Sequence, residues 1–126
     1  MVGLIVVSHS ATAAEGIVEV AAEMGGETAI EAAGGDDGGV GTNVDRISDA
    51  LAAADDGNGV VVLVDLGSAV MNAEVAIEMH DGEAVIADAP VLEGAVNAAV
   101  AATDPKATLE SVVRSEERRV GKECRL

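Results

Sequence analysis

The 126-residue chain contains no phenylalanine, tyrosine or tryptophan, a single cysteine, two prolines and only seven lysines and arginines. Each shortage excludes something. Without aromatic rings there is no platform on which bases or sugars can stack. A formal net charge of -16 leaves nothing to displace counterions from a phosphate backbone, so nucleic acid is set aside as a partner. Two histidines, His9 and His80, without ligand spacing around them, argue against a metal site. No apolar stretch approaches the ~20 residues of a membrane span, and Met1 runs into an apolar segment with no basic region before it. The expectation is a cytoplasmic protein with no membrane partner.

What is present is small and apolar. Ala, Val, Ile, Leu and Met supply nearly all of the 49% hydrophobic content, so the core must be assembled from many modest contacts. That content, together with clear periodicity, separates the chain from the disordered class that strong acidity alone would suggest. A lysine-poor acidic surface on a folded domain fits a high-salt, halophilic cytoplasm, where screening relieves self-repulsion. The length suits one domain.

The composition inverts at Arg114. The stretch RSEERRVGKECRL holds five of the seven basic residues and the only cysteine, Cys124. One reading is a solvated mixed-charge helix that reaches a partner. The other is that RSEERRVGKECR resembles the in-frame translation of a sequencing-library adapter, which makes residues 114–126 a non-native tail and residues 1–113 the domain. On that reading Cys124 says nothing about redox chemistry.

Strand and helix signals alternate along residues 1–113. Val2 to Val7 is a continuous apolar run, as in a strand covered on both faces. A helix follows from Ser10 to about Met24, a strand over Thr28 to Ala32, and then the loop AGGDDGGVG. Thr42 reads as an N-cap for a helix whose apolar face holds Val44, Ile47, Ala50, Leu51 and Ala54. Val60 to Val64 is a third buried strand, followed by a helix from about Ala69 to Met79 and a turn containing His80. Glu83 to Ile86 is a short strand. Asp88 and Pro90 then open a last helix, with a capping acid and a proline in its first turn, ending near Ala102. Ala107 to Val113 is short and ambiguous. Such alternation predicts an α/β fold: three layers, doubly wound, with a mostly parallel sheet of four to five strands and helices on both faces.

Function in such folds collects at the carboxyl ends of the strands. Three polar segments should therefore meet on one edge: Ser8-His9-Ser10, the loop from Gly34 to Thr42, and Asp65-Leu66-Gly67-Ser68. From the end of the third strand the Asp65 carboxylate can reach the His9 ring. A carboxylate on one ring nitrogen fixes the tautomer and leaves the other lone pair free, which makes an oriented nucleophile. Helix starts after His9, Gly41 and Gly67 direct N–H groups to the same place, an anion site suited to phosphoryl. Each piece also has a plainer reading: a loop histidine with a structural hydrogen bond, an aspartate capping a helix, a flexible glycine loop. The loop lacks the Lys-Ser/Thr pair of a nucleotide P-loop, and no G-x-S-x-G elbow supports a serine hydrolase.

Taken together, VSHS, GVGTN, DLGSA and APVLEG, in this order and spacing, resemble the phosphotransfer (DhaM) subunits of phosphoenolpyruvate-dependent dihydroxyacetone kinases, which belong with the mannose-type enzyme IIA domains of the phosphotransferase system. The similarity runs over about residues 1–113. It implies that His9 is the phosphoryl acceptor and donor, taking phosphate that originates in phosphoenolpyruvate from enzyme I through the phosphocarrier protein HPr. Asp65 would orient the ring, and Ser10, Gly41, Thr42, Gly67 and Ser68 are the candidates for phosphate contacts. The next acceptor would be ADP held on the DhaL subunit, which serves dihydroxyacetone on DhaK. The chain itself would bind no cofactor, and the family implies a homodimer. HPr and enzyme I domains, fused in some members, find no room in this chain. The alternatives are an enzyme IIA serving a sugar permease and a regulatory module that signals through phosphorylated His9. Asp36 and Asp37 are read as a solvated turn.

Overall fold

The structure is a computed structural model that describes the backbone of residues 1–123 and side chains through Glu116. Among the described residues nine elements follow one another: β1 (Gly3–Ser8), α1 (Ala11–Gly25), β2 (Ile30–Gly34), α2 (Val44–Ala54), β3 (Val60–Val64), α3 (Ser68–Met79), β4 (Ala84–Ile86), α4 (Val91–Ala102) and α5 (Leu109–Glu123). The four strands form one sheet in the order β2-β1-β3-β4, and every neighbouring pair is parallel. This is the three-layer α/β architecture expected, with the strand count at the lower end.

The unbroken apolar runs of β1 and β3 follow from burial on both faces. Leu4 and Val6 of β1, with Val61 and Leu63 of β3, point to the layer made by α1, α4 and α5. Their alternates Ile5, Val7, Val60 and Val62 point to the layer of α2 and α3, against Ile47, Leu51 and Ala73. With no ring to fill space, helices approach on alanine: Ala14 and Ala21 of α1 and Ala95, Ala98, Ala99 and Ala102 of α4 are all buried in one cluster. Closeness extends to the backbone. A Cβ on Gly34 would lie 2.6 Å from the Ser10 carbonyl oxygen, so glycine there lets the end of β2 touch the start of α1.

Several boundaries differ from the sequence reading. Strand β2 begins at Ile30 rather than Thr28, because the Thr28 N–H bonds the Gly25 carbonyl and closes a turn beyond α1. Asn43, not Thr42, caps α2, its side chain accepting from the Arg46 N–H at 3.2 Å. Asp88 does not cap α4; Pro90 occupies the cap position with no side-chain bond to the helix. His80 is more than a turn residue. It ends α3, and its Nε2 lies 2.7 Å from Asp55 Oδ2, with only 13% and 11% of the two side chains exposed. The ambiguous segment after Ala107 is helical, and α5 continues unbroken across the 113/114 boundary to Glu123. Cys124, in the last three residues, lies outside the described part.

The strand order reverses between β1 and β3. Chain from β1 crosses to β2 on one side, and chain from β2 returns across β1 to β3 on the other. A crevice opens where the two connections diverge, outside the carboxyl ends of β1 and β3. His9 follows β1 there, and Asp65 follows β3.

Candidate active site

Register fixes the site. Val7 pairs with Val64, and the Asp65 N–H donates to the Val7 carbonyl at 3.0 Å, so residues 8–9 and 65 leave the sheet side by side. Ser8 is buried and His9 is half-buried, the ring 22% exposed. The Asp65 carboxylate reaches both. Its Oδ1 lies 3.0 Å from His9 Nδ1, while its Oδ2 accepts from the His9 backbone N–H at 3.1 Å and from the Ser8 hydroxyl at 2.9 Å.

Burial pushes the Asp65 carboxyl up, but the His9 N–H, the His9 ring and the Ser8 hydroxyl together outweigh it, and the group lies below its ordinary value. An ionised carboxylate can only accept, so Nδ1 is the ring nitrogen that carries hydrogen. Nε2 is left with its lone pair, facing the Ser68 hydroxyl at 2.9 Å. The ring is held at both nitrogens, between the ends of β1, β3 and α3.

The helix starts contribute unequally. Ser10 caps α1, its hydroxyl accepting from the Ala13 N–H at 3.2 Å while its own N–H donates to Ser8 Oγ at 3.1 Å. Its hydroxyl oxygen is thereby taken up by the helix start, while no described residue accepts the hydroxyl hydrogen. Gly41, read from sequence as an N–H donor for an anion, spends that N–H on the His9 carbonyl at 2.8 Å. It is a clamp holding the glycine loop to His9, and its φ of 141° is a conformation that suits glycine. At α3, Gly67 takes the cap position with no side-chain bond, and Ala69 and Val70 close back on the Leu66 and Gly67 carbonyls. The N–H groups of Gly67 and Ser68 precede these at the positive end of the helix. Thr42 stands one residue before the cap of α2 and does not cap it; its Oγ1 accepts from Asn72 Nδ2 at 2.7 Å.

Asp36 and Asp37 are exposed in a turn; Asp36 Oδ1 also accepts from Asn43 Nδ2 at 3.1 Å, and its backbone pairs with Gly39 in an isolated bridge. Asp37 takes a positive φ of 46° at the exposed tip, as an aspartate in a tight turn can. Arg46 donates to the Gly34 carbonyl at 3.1 Å and so ties α2 to the base of the same loop.

Two contributors escaped the sequence reading. Ser8 braces Asp65 from the last position of β1; the one signal for it in the sequence is a hydroxyl closing an apolar run. Asn72 lies in mid-helix, and nothing in its neighbours marks it. Among the described residues no group of three or more His, Cys, Asp and Glu side chains could hold a metal ion, and no helix is long and apolar enough to cross a membrane.

Fold and site define a class: a doubly wound parallel α/β domain that presents a carboxylate-oriented histidine at its switch point, beside the N-terminus of α3. The chain belongs to the EIIA-man family, described as the PTS system fructose IIA component, which it matches over residues 3–113. It is 40% identical over 106 residues to the phosphoryl donor subunit DhaM of PEP-dependent dihydroxyacetone kinase 2 from Listeria innocua, an overlap of 79% of this chain and 85% of that protein. To the phosphotransferase subunit DhaM of the PTS-dependent dihydroxyacetone kinase of Lactococcus lactis it is 34% identical over 111 residues, covering 87% and 89% of the two chains. Among solved structures, that of the unknown-function protein EF1359 superposes with a TM-score of 0.77 at 29% identity, covering 94% of this chain and 95% of that one.

Proposed function

We propose that the chain is the phosphocarrier subunit of a phosphoenolpyruvate-dependent dihydroxyacetone kinase, taking phosphate from phospho-HPr onto His9 and passing it to ADP on DhaL. The observation that carries this reading is the His9 ring itself, with Nδ1 against Asp65 and Nε2 turned outward to Ser68.

The chemistry follows from that arrangement. His9 Nε2 attacks the donor's phosphorus, an N–P bond forms, and the donor's own bond to phosphorus breaks with its electron pair returning to the donor. The ring becomes a phosphoimidazolium that retains the Nδ1 hydrogen, and the Asp65 carboxylate compensates its charge. Ser68 gives up Nε2, which has lost its lone pair, and its hydroxyl turns to a phosphoryl oxygen. The N–H groups at the start of α3 meet the same oxygens. In the second transfer the acceptor attacks phosphorus, the N–P bond breaks, and the ring leaves as neutral imidazole. Asp65 thus supports both directions, and the group stays transferable.

On this reading the phosphoryl group is carried covalently and the chain holds no cofactor of its own; nucleotide belongs to DhaL and dihydroxyacetone to DhaK. The acidic, lysine-poor composition supports work in a high-salt cytoplasm. Exposed Val75 and Met79 of α3 and Val85 of the edge strand β4 support pairing into a homodimer. Residues 114–126 take no part in the transfer.

The test is to incubate the chain with labelled phosphoenolpyruvate, enzyme I and HPr at high salt, beside His9→Ala. Acid-labile label on the wild type alone, chased to ADP on DhaL, is the expected result. Label that moves to a sugar permease in place of DhaL would reassign the chain to sugar uptake, and no label on a folded wild type would end the phosphocarrier reading.

A further inference from the structure

Asn72 stands one helical turn beyond Ser68 on α3, so the two share a face. Ser68 meets His9 Nε2, while Asn72 reaches across to the end of the glycine loop. There its amide donates to Thr42 Oγ1 at 2.7 Å and makes a longer contact with the Thr42 carbonyl at 3.5 Å. The loop is anchored at the other side of the same segment by the Gly41 N–H on the His9 carbonyl, 2.8 Å away. A closed circuit results: His9, Gly41, Thr42, Asn72, α3, Ser68 and back to His9.

The direction of one bond in that circuit matters. A threonine hydroxyl has one hydrogen to give and lone pairs to offer. Because the Asn72 amide donates, Thr42 Oγ1 acts as acceptor, and no described residue takes the Thr42 hydrogen in return. Thr42 is half-buried, in the residue next to the His9 clamp, and no longer serves as the cap of α2 because Asn43 does. Its hydrogen is available to an acceptor arriving from outside the chain.

We propose that Asn72 is a positioning residue for phosphoryl transfer: by donating to Thr42 Oγ1 it closes the glycine loop onto α3 and commits the Thr42 hydrogen to a phosphoryl oxygen on His9. The inference rests on the phosphocarrier reading. It also gives a purpose to a partly buried amide next to Ala73, one of the buried alanines of α3.

The experiment uses the full chain with phosphoenolpyruvate, enzyme I and HPr, and compares wild type with Asn72→Ala, Asn72→Asp, Thr42→Val, Thr42→Ser and the Asn72→Ala/Thr42→Val pair. Label uptake is followed against phospho-HPr concentration, with the phosphorus NMR shift of the phosphohistidine and a thermal melt for each. Loss of one hydrogen bond to a charged group should lower kcat about tenfold and leave KM for phospho-HPr unchanged. Asn72→Asp should lose at least as much, since a carboxylate would accept the Thr42 hydrogen. Thr42→Val should reproduce the loss and the altered phosphorus shift, Thr42→Ser, which keeps the hydroxyl, should lose less than Thr42→Val, and the paired change should be no worse than Thr42→Val alone. If Asn72→Ala proves unfolded, Thr42→Val, which preserves volume, carries the comparison. Wild-type kcat in a folded Asn72→Ala or Thr42→Val, or losses that multiply in the pair, would overturn this inference alone. A wild type that takes no label would overturn it together with the phosphocarrier reading.

Discussion

Replacing Asp65 by asparagine is the sharpest test of how His9 is prepared, because the side chain keeps its shape and loses its charge. The carboxylate now accepts three hydrogen bonds, from His9 Nδ1, the His9 N–H and the Ser8 hydroxyl, at 3.0, 3.1 and 2.9 Å. An amide has one acceptor oxygen, so the set cannot be kept whole. If the amide NH2 faces Nδ1, the ring must change tautomer, Nε2 takes the hydrogen, and the nucleophilic lone pair is gone. If the amide oxygen faces Nδ1, the NH2 is pressed against the His9 N–H. In neither case is a negative charge left to balance the phosphoimidazolium. Losing both orientation and charge should slow phosphoryl uptake about 100- to 1,000-fold, equivalent to ~3–4 kcal/mol of transition-state stabilisation. Stability should fall by only about 1–3 kcal/mol, the cost of disturbed bonds at a partly hydrated site. The assay is the initial rate of label uptake from phospho-HPr, beside a urea melt and nitrogen NMR of the ring, which reports the tautomer. A folded Asp65→Asn chain labelled at the wild-type rate would refute the reasoning.

Other consequences are as direct. Gly34→Ala should cost about 1–3 kcal/mol by overpacking and slow labelling as well, because the new Cβ would displace the Ser10 carbonyl and the start of α1; a urea melt with a parallel uptake assay checks both. His80→Ala, at the opposite edge of the sheet, should lower the melting temperature by leaving the Asp55 carboxylate without its ring partner, yet labelling at a temperature where the variant is folded should match the wild type. Gly57 N–H and the His80 ring hold the Asp55 carboxyl below its ordinary value, as the His9 groups do for Asp65. Folding therefore favours the ionised form of both. Their stabilisation is complete above about pH 4, the unfolded value, and disappears as pH falls through the lower folded values; in an acid titration followed by circular dichroism, Asp65→Asn should therefore lose less stability at low pH than the wild type does. A chain ending at Val113 should take up label as the full chain does, and a loss of uptake would show that the helix beyond that point matters to the transfer.

Much of this was already present in the order of residues. Apolar runs ending in polar, small-residue segments placed β1 and β3 in a buried parallel sheet, and the same segments located His9 and Asp65 at strand ends. Where the reading slipped, local signals competed. Thr42 and Asn43 are both good capping residues, and only the path of the glycine loop decided between them. Asp88 had the chemistry of a cap, but the chain enters α4 through Pro90. Segment 109–113 lacked enough periodic residues of its own to show a helix, whose buried Leu109, Val112 and Val113 find their partners in the α1–α4 layer.

By itself the sequence determined the fold class, the core of small side chains and the histidine on which the site is built, because periodicity and strand-end chemistry are local properties that survive without knowing what lies opposite. Only the tertiary structure decided which ring nitrogen is held, that Ser8 braces Asp65, that Gly41 clamps His9 and that Asn72 secures Thr42. Those bonds join residues 30 to 59 positions apart in most cases, and no local pattern encodes them. They exist because the β1–β3 register and the packing of α3 bring donor and acceptor to the same edge, where each polar group must find a partner or remain open to a ligand.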